Sequence, residues 1–274
     1  RMLATGITSY DYNSSSHRII IPVNNSVFQV KGNSNELIPI ADNVLTPQLS
    51  SDGSKLGFVC ENELYCMNIE NGERIQLTFN SIKDGVTNGL ADFIAQEELG
   101  RSDGFWFSPC GNYIAFCEVD EKNIPEYTIV HEGKDILTKE THRYPFSGCL
   151  NATTRLGVVN LKTKEIVWMN LEYDSNEMKE IYIAKVFWWK NGELGAELLS
   201  REQSRLDLIR FNISSGEKTI VFQDKSSFWV NLFETNTHFW ELNDNSFIWM
   251  SEKDGFAHLY LILSDGTCKS ITSG

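Results

Sequence analysis

A turn rich in Asp, Asn and Gly, set between two apolar strands, recurs along this chain and limits its possible folds more than any other feature. It appears as Leu49-Ser50-Ser51-Asp52-Gly53-Ser54-Lys55-Leu56-Gly57-Phe58 and again as Phe107-Ser108-Pro109-Cys110-Gly111-Asn112-Tyr113-Ile114-Ala115-Phe116. Looser copies lie at residues 188–195 and 240–249, and second hairpins close through Asn71-Gly72 and Asp265-Gly266. Such turns let short strands fold back on one another. Their return at roughly 40–50-residue intervals predicts an all-β chain made of propeller blades.

The spacing of the turns locates insertions. Gly53 to Gly111 exceeds one blade of about 40–45 residues, and the surplus falls on residues 81–103. Gly111 to Gly192 is longer still, with the surplus around residues 120–144, where Ile124-Pro125-Glu126-Tyr127-Thr128-Ile129-Val130 reads as a protruding strand. Gly192 to Asn245 is close to a plain blade. With a degraded first blade, from Ile7-Thr8-Ser9-Tyr10-Asp11 and Arg18-Ile19-Ile20-Ile21, the count comes to about five blades. The chain starts at Arg1 without Met and stops in a strand-like run at Ile271-Thr272-Ser273-Gly274. Residues 1–274 are therefore expected to be an incomplete N-terminal β-propeller domain of something longer.

Composition removes several function classes. A net charge of −13 speaks against nucleic acid, which needs a clustered positive field. No apolar run approaches the ~18–20 residues that would span a membrane. Six cysteines occur without a Cys-x-x-Cys, and several sit inside strand-like runs as small hydrophobes. They favour reduced thiols and a cytoplasmic home, while a Cys60–Cys66 bridge across a hairpin stays open. His17, His131, His142, His238 and His258 are scattered without ligand spacing, so no metal or other cofactor is expected.

The one helical piece lies in the first insertion, Gly89-Leu90-Ala91-Asp92-Phe93-Ile94-Ala95-Gln96-Glu97-Glu98-Leu99-Gly100-Arg101, followed by the aromatic Gly104-Phe105-Trp106-Phe107. Neighbours on a helix point about 100° apart, so Glu97 and Glu98 do not share a face. At the end of a short helix they can still converge on one cation from two sides. An incoming ammonium would relieve their mutual repulsion and donate to both. Taken alone, Gln-Glu-Glu is also a common solvated helix face.

The segment 89–101 with 104–116 resembles the dipeptidyl peptidase IV family of serine peptidases. So do Val119-Asp120-Glu121, Tyr144-Pro145-Phe146-Ser147-Gly148, Arg155-Leu156-Gly157-Val158-Val159 and Tyr182-Ile183-Ala184-Lys185-Val186. The opening Gly6-Ile7-Thr8-Ser9-Tyr10-Asp11-Tyr12 looks closest to dipeptidyl peptidases 8 and 9. The resemblance implies an eight-bladed propeller followed by an α/β-hydrolase domain. It also implies that Glu97 and Glu98 hold the free amine of a peptide substrate, which is cut after a second residue that is Pro or Ala. Arg1 matches the family's Arg that contacts the substrate carbonyl. Trp229, Asn231, Phe233 and His238 fall where the family builds pocket wall, although aromatic-rich strands are usually core. An arm equivalent to residues 120–144 implies a homodimer.

The chain lacks a Gly-x-Ser-x-Gly elbow and any Ser/Asp/His set in a catalytic context. Ser108-Pro109-Cys110-Gly111 is a blade turn. No catalytic residue is expected here, and the nucleophile should lie downstream in the hydrolase domain. The rival expectation is a non-catalytic relative that uses its propeller for protein interaction. An endo- or acylaminoacyl-peptidase would have no need of Glu97-Glu98.

Overall fold

A computed structural model describes residues 7, 9–31, 36–79, 85–133, 137–174, 176–232 and 239–274. The chain is all-β, and its strands follow one another as antiparallel hairpins. The first sheet is β1 (Asp11–Asn13), β2 (Arg18–Val23), β3 (Ser26–Lys31) and β4 (Glu36–Ala41), in that order. The second repeats the plan with β5 (Leu45–Leu49), β6 (Lys55–Cys60), β7 (Glu63–Asn68) and β8 (Arg74–Gln76). Four consecutive antiparallel strands per sheet are the repeating element of propeller folds.

The third sheet carries the insertions. Its elements are β9 (Val86–Asn88), α1 (Phe93–Glu97), β10 (Phe105–Phe107) and β11 (Tyr113–Asp120). A separate hairpin follows, β12 (Glu126–His131) with β13 (Thr138–Arg143), and then β14 (Thr153–Asn160) returns to pair with β11. Along one edge of β11, β10 pairs with Ile114–Phe116 and β9 with Glu118–Asp120. The loop that holds α1 thus leaves and rejoins a single strand edge. After β15 (Ile166–Trp168) come two more four-stranded sheets. One is β16 (Ile181–Trp188), β17 (Leu194–Ser200), β18 (Arg205–Phe211) and β19 (Lys218–Lys225). The other is β20 (Phe239–Glu241), β21 (Phe247–Ser251), β22 (His258–Ile262) and β23 (Cys268–Ser270).

The chain divides into two compact units. The first runs to Phe93 and adds Asp103–Phe107 and Gly111–Glu165. The second comprises Ile94–Ser102, Ser108–Cys110 and Ile166–Gly274. In the first unit Ile20, Val27, Leu56, Phe58 and Met67 form one buried cluster. In the second, Trp189, Leu199, Leu208, Phe247, Trp249 and Tyr260 do the same. Both units use a strand glycine to seat aromatic rings. A Cβ on Gly57 would come within 2.8 Å of the Phe105 ring, and one on Gly195 within 2.5 Å of the Phe187 ring. Close packing leaves no room for a methyl at either place.

Several boundaries differ from the sequence reading. The first strand starts at Asp11, so Ile7 and Tyr10 lie outside it, 61% and 71% exposed. In the second insertion the strand begins at Glu126, because Ile124 is buried and its N–H closes a turn onto the Glu121 carbonyl. The protruding strand is also half of a hairpin, whose second strand has too few apolar residues to announce itself. Cys60 and Cys66 are free thiols. Cys60 sits opposite Glu63, and Cys66 is buried opposite Gly57, so they are not cross-strand partners.

Candidate functional site

The helical stretch expected over residues 89–101 contracts to the five residues of α1. Gly89 and Gly100 both take left-handed backbone angles (φ 80° and 62°), which ends regular helix on either side. Glu97 is the last helical residue, and Glu98 stands in the turn that follows, its N–H bonded to the Ile94 carbonyl. The two carboxylates therefore do sit at the end of a short helix. Both are exposed rather than enclosed, and neither side chain has a hydrogen-bond or ion-pair partner among the described residues.

That placement runs against local charge preference. The last carbonyls of a helix lack intrahelical partners and favour cations, so acidic residues are disfavoured there. The last turn holds no basic residue to offset them. Local rules broken without a stabilising return mark functional sites more often than structural ones. Two adjacent, exposed carboxylates form a local acceptor surface suited to a small cation.

Both ends of the loop are secured. At its base, in the first unit, Gly89 N–H donates to the Cys117 carbonyl and Cys117 N–H donates to the Gly104 carbonyl, each at 2.8 Å. Leu90 and Asp103 add an antiparallel bridge between these bonds. Phe93, where α1 begins, meets Tyr144 edge-on at 5.1 Å, and Tyr144 stacks likewise on Phe146 at 4.9 Å. In the second unit Ala95 is buried, and Leu99 packs against the cluster around Trp189. Arg101, 7% exposed, donates from Nε to the Ile183 carbonyl at 3.0 Å. Its N–H also reaches the Ala95 carbonyl at 2.8 Å. The sequence reading assigned no role to Arg101, since its partner is 82 residues away and no periodicity marks it.

The other expected site residues scatter. Arg1, Phe233 and His238 fall outside the described residues. Trp229 is 65% exposed, so it is not core, and only Val230 beside it is buried. Trp229 and Asn231 line a cavity of about 260 Å³ with Asp224, Ser251 and Lys253. Asp120 ends β11 and pairs with Lys122 at 2.9 Å. Burial and the nearby Asp92 carboxylate push the Glu121 carboxyl above its usual range, against the opposing pull of Arg143. Ser108 lies in the turn after β10, its hydroxyl 3.3 Å from the Cys110 sulfur. On the exposed β12–β13 hairpin Glu140 bridges two histidines, His131 at 3.0 Å and His142 at 2.7 Å. Among the described residues no His, Cys, Asp and Glu side chains cluster in a way that could hold a metal ion.

The family model of the dipeptidyl peptidase IV (DPP IV) N-terminal region matches residues 10–274. The probable dipeptidyl peptidase 4 of Aspergillus flavus is 27% identical over 242 residues, covering 83% of this chain and 31% of its own length. Dipeptidyl peptidase 4 of Trichophyton rubrum is 25% identical over 237 residues, covering 82% and 30%. The crystal structure of Porphyromonas gingivalis dipeptidyl peptidase 4 matches with a TM-score of 0.85 at 26% identity, over 100% of this chain and 40% of that one. The chain spans less than a third of the length of these curated relatives. A match that runs through nearly every described strand and includes the acidic turn places this chain in the dipeptidyl peptidase IV N-terminal region family.

Proposed function

We propose that this chain is the β-propeller part of a serine-type dipeptidyl peptidase, its sheets serving as blades, and that it anchors the substrate's free amine. Glu97 and Glu98 receive the N-terminal ammonium of a peptide, and a hydrolase domain outside this chain cuts after the second residue, Pro or Ala. The observation that carries this reading is the pair of exposed carboxylates at the end of a short helix, without partners among the described residues. An ammonium has three donors and can satisfy both carboxylates at once. Each charge-assisted bond is worth roughly 1.5–3 kcal/mol, so two favour a free over a blocked amine by roughly 10²–10⁴. The exposed β12–β13 hairpin, with Tyr127 and Ile129 on one face, is assigned to homodimer formation on the same reading.

The test uses the full-length parent. Release of a chromophore from Gly-Pro is compared with release from the N-acetylated form, in the native enzyme and in Glu97→Gln and Glu98→Gln. Cleavage of the free form only, with kcat/KM reduced at least about 10-fold in each variant, is the expected result. Equal cleavage of both substrates, or unchanged kinetics in both variants, would refute it.

A further inference from the structure

Arg101 is buried between exposed Gly100 and exposed Ser102, which is an unusual place to hide a guanidinium. A buried charge is costly unless it is well bonded, so its contacts carry information. Nε donates to the carbonyl of Ile183 on β16 at 3.0 Å. The β16–β17 ladder slips at this point, running Ile183↔Leu198 and then Lys185↔Glu197, with Ala184 unmatched. A bulge of this kind interrupts the ladder and re-aims the groups beside it. Here it coincides with the carbonyl that Arg101 takes. The N–H of Arg101 closes on Ala95, and Leu99 packs onto the core of the same unit. The Arg101 side chain therefore joins the acidic turn to the β16 bulge, its amide closes the turn on itself, and Leu99 packs the turn onto the core of the same unit.

We propose that Arg101 is the positioning residue of the acidic pair. It locks the turn 94–102 onto the bulge of β16, so that Glu97 and Glu98 meet the substrate ammonium already in place. The inference rests on the amine-anchoring reading and adds to it the residue that makes the anchor rigid. A site held loosely loses binding even when its contact residues are intact. Arginine is needed because its Nε–H leaves the side chain before the terminus. Lysine, with a single terminal ammonium, has no donor at that position.

The test is a double-mutant cycle on the full-length parent with the chromogenic Gly-Pro substrate. The set is Glu97→Gln, Arg101→Met, Arg101→Lys and the Glu97→Gln/Arg101→Met double variant. Arg101→Met removes the buried charge with little change in volume and takes from the Ile183 carbonyl its Nε–H donor. Arg101→Lys keeps the charge and guards against a folding failure of the first variant. Both are expected to raise KM about 10-fold with kcat changed less than about 2-fold, the signature of lost ground-state anchoring. In the Glu97→Gln background Arg101→Met should add less than about 2-fold, because the two residues act through one contact. Full multiplication of the two effects would mean a merely structural role and would overturn the inference. So would a normal KM in both Arg101 variants while Glu97→Gln raises it, an outcome that leaves the amine-anchoring reading standing. A normal KM in Glu97→Gln and Glu98→Gln overturns that reading, and this inference with it.

Discussion

Replacing Gly104 with Ala tests how tightly the base of the acidic loop is closed. A Cβ on Gly104 would fall 2.4 Å from the main-chain carbons of Gly89 and Leu90, and 2.5 Å from the Gly89 oxygen. Non-bonded carbons rest at about 3.5–4.0 Å, so the backbones must part by roughly 1 Å. All three atoms are main chain, and none can rotate away. The strain falls on the Cys117–Gly104 and Gly89–Cys117 hydrogen bonds and on the Leu90–Asp103 bridge. Overpacking costs about 1–3 kcal/mol, and a weakened backbone bond adds about 1, so a loss near 3 kcal/mol is expected. For a chain of this size that lowers Tm by roughly 6–12 °C. Gly72→Ala is the control. It has nothing within 4 Å of its Cβ and suffers only from φ 72°, a strain of about 1–2 kcal/mol. Thermal unfolding followed by tryptophan fluorescence reads both variants. A Gly104→Ala Tm no lower than that of Gly72→Ala would refute the reasoning.

Two further outcomes follow from the charges. Asp207 is fully buried and accepts both Nε–H and Nη2–H of Arg205, at 2.9 and 2.8 Å, with Gln223 adding a third bond at 3.2 Å. Asp207→Ala removes the bidentate carboxylate from the buried guanidinium and should cost about 3–5 kcal/mol, seen as a lower urea midpoint. Arg205→Met/Asp207→Leu should cost less than the single change, and a larger cost in the double variant contradicts the pair's role. In the turn after β5, the Ser50 hydroxyl first, then the Ser54 N–H and hydroxyl, hold the Asp52 carboxyl down from 3.8 to about 2. A depressed carboxylate contributes stability above its unfolded value and loses it as pH falls through the folded one. Asp52→Asn should therefore be less stable than the native chain at pH 7, with the gap closing from about pH 4 to about pH 2. A gap that stays constant across that range counts against the assignment.

The strands were readable because their signals are local. Gly53, Gly111 and Gly192 all adopt positive φ at hairpin turns that the residue pattern marked in advance. The turns at 53, 111 and 192 join β5 to β6, β10 to β11 and β16 to β17, as their flanking apolar runs required. The acidic pair stands out as consecutive residues of one segment, but its proposed role came from that segment's resemblance to the family and not from the local pattern. Elements without a local signal were missed. β9 is three residues long and is recognisable only by its register on β11. The hairpin strand β13, Thr-Lys-Glu-Thr-His-Arg, has no apolar face to betray it. Trp229 looked like core by residue type, yet it is 65% exposed, and among the described residues no strand or cluster closes over it.

By itself, then, the sequence determined the all-β plan, the positions of the hairpin turns and the adjacency of the two carboxylates in the one helical segment. These rest on backbone preferences and on neighbours within a few residues. Only the tertiary structure decided how those carboxylates are held. The contraction of the helix to five residues, the bulge at Ala184 and the reach of Arg101 to Ile183 join elements far apart in the chain. Burial chooses such partners by geometry, and a buried guanidinium takes whichever carbonyl the fold leaves open to it.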